Sequence, residues 1–197
     1  MRRARTLAWA GNAWHVLEFA VAVAAGVVAG SAALVGFGLD SLIEVASGTV
    51  VVWLFSGRRI ADAERSERLA QRLIAASFLA LAAYIALAAG RDLVAGEHPG
   101  ASWIGIGLAA VTAVAMPLLA RSKRRVGRAL GSGATVAEGG QNMLCAYMSL
   151  ALLAGLGANA LAGLWWADPV AALAIAAIAA REGIVTWRTP EAACGCC

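Results

Sequence analysis

Residues 30–48 read GSAALVGFGLDSLIEVASG, and this stretch decides the fold. It is apolar almost throughout, yet it carries Asp40 and Glu44. Four residues apart on a helix, the two carboxylates share one face, separated by about 6 Å of axial rise. Asp40 then lies about 15 Å along the axis from Gly30, near the middle of an apolar slab about 30 Å thick. A charged carboxylate at that depth costs about 2.5–3.5 kcal/mol on insertion scales. Two on one face also repel each other. A bound cation is the natural compensation.

The rest of the chain fits a membrane setting. Of its 197 residues, 61% are hydrophobic and 14% charged, against about 45–50% and about 25% in soluble domains. The mean hydropathy is +0.74. The formal net charge of +4 is no nucleic-acid footprint, because the basic residues sit at the ends of apolar runs rather than in a patch. The four cysteines make no disulfide framework: Cys145 stands alone in an apolar run, and Cys194, Cys196 and Cys197 end the chain. The start, MRRARTLAWAGNAW, has the look of a signal peptide, but Glu18 interrupts its apolar core and further spans follow.

Six spans are predicted, over about 6–28, 30–55, 69–90, 102–120, 134–159 and 169–185. The expected fold is therefore an all-α membrane protein with six transmembrane helices. Residues 1–188 are expected to form one six-helix transmembrane domain and 189–197 a short cysteine-containing tail. Of the 16 basic residues, all but Arg91 fall before span one, between spans two and three, between four and five, or at the end of span six. The positive-inside rule then puts both termini in the cytoplasm. A multi-pass protein of the cell (inner) membrane is expected.

The outer connections are short. Ala29–Gly30 is nearly a bare turn, RDLVAGEHPGA joins spans three and four, and LAGLWWAD joins five and six. Trp165 and Trp166 fit an interfacial anchor. Asp168–Pro169 reads as an N-cap followed by proline at the first helical position, a structural role. Met116–Pro117 predicts a kink in span four. Arg91, Asp92, Glu97 and His98 read as loop residues. The charged segment SGRRIADAERSERLAQR reads as helical extensions of spans two and three with a solvated acidic face.

Span five carries AEGGQNMLCAYMSL. Glu138, Gln141, Asn142 and Cys145 stand at i, i+3, i+4 and i+7, a single helical stripe that Ser149 continues. Such a stripe must look into a bundle rather than at lipid. Gly139 and Gly140 let another helix or an ion come close. Asn142 and Ser149 also fit an interhelical hydrogen-bond seam. In span one, His15 and Glu18 can share a face, with Asn12 nearby. His15 reads as an interfacial, hydrogen-bonded residue or as a ligand, and the deeper Glu18 as a pathway or proton-carrying group. The tail ACGCC could bind a soft metal through reduced thiols or be a disordered end.

GSAALVGFGLDSLIE in span two and SGATVAEGGQNMLCAYMSLALLAG in span five resemble the two halves of the cation diffusion facilitator (cation efflux) transporters. WADPVAALAIAAIAAREG resembles that family's sixth helix. The resemblance implies paired ligands four residues apart on helices two and five that hold one divalent metal mid-membrane. Those positions are Asp40 with Glu44, and Gln141 with Cys145. The family's usual helix-five pair is histidine and aspartate, so the resemblance is to a divergent branch. Members usually append a cytoplasmic domain, and this sequence is expected to lack it.

Two carboxylates and a thiolate suit a borderline cation: zinc first, with cadmium and cobalt close behind. Magnesium and calcium want oxygen alone. Metal binding requires deprotonated carboxylates and thiol, so protons leave as the metal arrives. The resemblance thus implies a secondary active antiporter, a homodimer that exports a divalent metal in exchange for protons. His15, Glu18, Glu138 and Asn142 are candidates for the proton path or for supporting the ligands. No organic cofactor and no nucleic-acid partner are expected. The alternative is a non-transporting membrane metal-binding or regulatory protein on the same fold. A metalloenzyme would need an open coordination position and a base, and the sequence has no HExxH or nucleophile–base pair.

Overall fold

The structure, a computed structural model, describes residues 2–54, 63–96, 98–130 and 133–188. These form six helices: α1 (Arg2–Ala29), α2 (Ala32–Leu54), α3 (Ala63–Ala95), α4 (Trp103–Leu130), α5 (Gly133–Ala162) and α6 (Ala167–Arg188). Among the described residues, five are long and apolar enough to cross a membrane, and α2 adds a helix of 23 residues. Residues 55–62, with Arg58, Arg59 and Asp62, then Glu97, and the tail with Cys194, Cys196 and Cys197, lie outside the described residues.

All but α2 run past the predicted spans. Hydropathy marks the lipid-crossing part, whereas backbone hydrogen bonding continues into water wherever the residues favour a helix. So the basic run Arg121–Arg128, expected between spans, lies on α4 itself. That helix continues through Pro117 to Leu130.

The helices pair as α1 on α2, α4 on α5 and α3 on α6. α2 packs also on α3, α5 and α6, α1 on α4, and α5 on α6. Phe37, Leu34, Met148, Leu152 and Ile175 fill the core. The surface inverts the soluble pattern. Leu87 is 76% exposed and Val114 68%, while Glu18 is 0% and Asp40 3%. A surface of large apolar side chains around buried acids suits lipid, not water.

The α1–α2 corner shows how tightly the bundle is closed. Gly30 has φ +65°, the left-handed region that ends helices at low cost. The Ser31 amide donates to the Gly26 carbonyl at 2.9 Å. Ser31 Oγ then accepts the Leu34 amide at 3.1 Å, capping α2. The same hydroxyl donates to Asp168 Oδ1 at 2.6 Å. Asp168 is fully buried in the first turn of α6. This corrects its expected N-cap role: α6 begins one residue earlier, and the carboxylate ties α6 to the start of α2.

Candidate metal centre

The site is built from helical spacing. His15 and Glu18, three apart on α1, point the same way, as do Asp40 and Glu44 on α2. On α5, Asn142 and Cys145 are buried, while Gln141 is half-buried toward the α3–α6 side.

Two neighbouring groups result, with Glu44 in both. The first is a cleft where α2 and α5 meet α3 and α6. Asp40, Glu44 and Gln141 line one wall, and Phe78, Ala179 and Glu182 the other. The second lies deeper, between α1, α2 and α5. Donor atoms of His15, Glu18, Glu44 and Cys145 lie within 4.8 Å of one another. His15 Nδ1 is 3.1 Å from Glu18 Oε2 and 3.0 Å from Glu44 Oε2. Cys145 Sγ is 3.9 Å from Glu18 Oε2.

Neutral groups hold this cluster in place. Ser41 Oγ donates to Glu18 Oε2 at 2.9 Å, and Thr112 Oγ1 donates to Glu18 Oε1. The Asn142 side-chain amide meets His15 Nε2 at 3.1 Å and donates to Met116 Sδ at 3.3 Å. Ser149 Oγ bonds back to the Cys145 carbonyl at 2.7 Å.

Glu138 stands apart from both groups. Lys123 Nζ donates to its Oε1 at 2.6 Å, and the two side chains are 2% and 6% exposed. Gly139 beside it closes α5 onto α4: a Cβ there would stand 2.9 Å from the Ala120 carbonyl oxygen. At the other end of the bundle, His98 stacks on Trp165 with ring centroids 5.1 Å apart.

The four positions taken from the resemblance therefore divide between the groups. Asp40 and Gln141 line the cleft, Cys145 belongs to the deeper cluster, and Glu44 joins them. Sequence reasoning missed Ser41, Thr112, Lys123 and Glu182. Ser41 and Thr112 gave no signal beyond a hydroxyl in an apolar span. Lys123 and Glu182 sit beside Arg124 and Arg181 and read as ordinary interfacial charges.

A histidine, a thiol and carboxylates gathered in an apolar interior form a donor set for a borderline divalent cation. None of the curated proteins compared with the chain matches it. The cation efflux transmembrane domain matches residues 10–187, a span that holds every residue of the cleft and the cluster. The chain therefore belongs to the cation efflux family, multi-pass membrane proteins that transport divalent metal cations.

Proposed function

We propose that the chain exports a divalent transition metal, zinc foremost, from the cytoplasm in exchange for protons. Asp40, Glu44 and Gln141 receive the ion in the cleft, and Cys145 adds a soft donor behind Glu44. The observation that carries this reading is the shared cleft: residues of α2 and α5, the two helices that the resemblance pairs, line one cavity at the seam with α3 and α6. The cleft carboxylates cannot hold metal and proton together, so metal arrival releases protons and a proton gradient can drive metal out. In this reading the protein works as a homodimer with both termini cytoplasmic, in the cell (inner) membrane.

The test is zinc flux into proteoliposomes across an imposed pH gradient. Flux should follow the gradient and collapse when it is dissipated. Asp40→Asn and Glu44→Gln should each lower it by about tenfold or more, since each removes a charged ligand. Zinc-dependent thermal stabilisation with no flux under any gradient would sink the export reading in favour of a static metal-binding protein.

A further inference from the structure

The deeper cluster is close to the size of a coordination shell. Four ligands bound to zinc at about 2.0–2.3 Å in a tetrahedron stand about 3.3–3.8 Å from one another. His15 Nδ1 stands 3.1 Å from Glu18 Oε2 and 3.0 Å from Glu44 Oε2, Cys145 Sγ stands 3.9 Å from Glu18 Oε2, and all four donors lie within 4.8 Å of one another. Each of the four side chains is buried, so the donors are held away from bulk water. We propose that these residues form a second metal station deeper than the cleft, selective for a borderline divalent cation such as zinc, cobalt or cadmium. Glu44 is the ligand common to both stations. The inference rests on the cleft being a metal path, and extends that path onto α1.

The surrounding bonds fit ligand roles. Two carboxylate oxygens converge on His15 Nδ1 at nearly equal distance; a single N–H cannot point along both lines, whereas a cation can sit among all three atoms. On the far side of the ring, Asn142 Oδ1 has no hydrogen-bond partner among the described residues. Turning that amide over lets Oδ1 accept Nε2–H, which leaves the Nδ1 lone pair for the metal. Ser41 and Thr112 hold one oxygen each of Glu18, the kind of outer bonding that fixes a ligating carboxylate. The donor mix of one nitrogen, one sulfur and carboxylate oxygens excludes magnesium and calcium as the preferred ion.

The decisive measurement is X-ray absorption on the zinc-loaded full chain in detergent. Cys194, Cys196 and Cys197 are changed to serine so that tail thiols contribute nothing. The expected shell has one sulfur at about 2.3 Å, lighter atoms at about 2.0–2.2 Å, and the outer scattering of one imidazole. The chain has 2 histidines; His98 is engaged with Trp165 in the outer loop, so an imidazole on zinc reports His15. A shell without imidazole, or of oxygen alone, overturns the proposal. Cobalt substitution gives a second readout. Cys145→Ser should abolish the thiolate-to-cobalt charge-transfer band, and His15→Ala should weaken cobalt binding by about tenfold or more, since even losing a residue that only orients a ligand costs that much. If both variants bind cobalt with an unchanged spectrum, the station does not exist. Asp40→Asn separates the two readings. Lost flux with the sulfur–imidazole shell intact supports both. Full flux with that shell intact removes Asp40 from the cleft path and leaves the deeper station standing.

Discussion

Lys123 shows how little a residue's neighbours in sequence reveal about its surroundings. It stands among Arg121, Arg124, Arg125 and Arg128, yet it is 1% exposed and holds Glu138 at 2.6 Å. Taking two charges out of water is costly, and removing one partner strands the other. Lys123→Met and Glu138→Gln should therefore each destabilise the protein by about 3–5 kcal/mol, read from unfolding in detergent. The double variant Lys123→Met with Glu138→Leu should recover most of that loss, because an apolar pair of similar volume leaves no charge unpaired. Singles as stable as the parent would mean that the pair is solvated in the micelle. Asp40 and Glu44 were legible as candidate site residues because each interrupts an apolar run, and Gln141 and Cys145 through the family resemblance. The convergence of His15 and Glu18 on Glu44 and Cys145 was not. Their spacing shows that they share a face of α1, but only packing against α2, α4 and α5 decides which way that face turns.

At the scale of elements, existence was legible and ends were not. Six apolar runs of spanning length gave six helices, because an unpaired backbone has no place in lipid. Their aqueous extensions carry no hydropathic signature, which is why α4 outran its predicted span by a full basic segment. The close approach of α4 to α5 depends on Gly139. A Cβ at that position would meet the Ala120 carbonyl oxygen at 2.9 Å and the Arg124 amide nitrogen at 3.2 Å. Both are backbone atoms, so the helices must part. At Gly140 the nearest atom is Arg124 Nη2 at 3.9 Å, the end of a flexible side chain. Gly139→Ala should cost about 1–3 kcal/mol of stability. Gly140→Ala should be neutral or gain up to about 1 kcal/mol from helix propensity. Equal effects of the two changes in a thermal unfolding series would show that α4 and α5 do not touch along this line.

At the scale of the whole molecule, the cleft sits on a seam. One wall belongs to α2 and α5, the other to the α3–α6 pair. Within the α3–α6 pair the fit is close: a Cβ on Gly183 would stand 3.1 Å from the Ala75 carbonyl oxygen. Transporters commonly alternate access by moving one rigid group of helices against another around a fixed site. Here such a motion would slide α3 and α6 as a unit past Asp40 and Glu44, opening the cleft toward either side in turn. Ala179 lies in the seam at 1% exposure and lines the cleft. Its small side chain leaves room for that slide, and a large one would wedge it. Ala179→Phe should lower zinc flux by about tenfold or more while the chain still binds zinc, at an overpacking cost of about 1–3 kcal/mol in stability. Ala177→Phe, two residues away on the exposed face of the same helix, should leave both flux and binding as they are. Equal loss of flux from the two changes would mean that α6 tolerates no added bulk anywhere, and the seam would have no special part in transport. Loss of zinc binding along with flux in Ala179→Phe would place the obstruction in the cleft itself rather than in its movement.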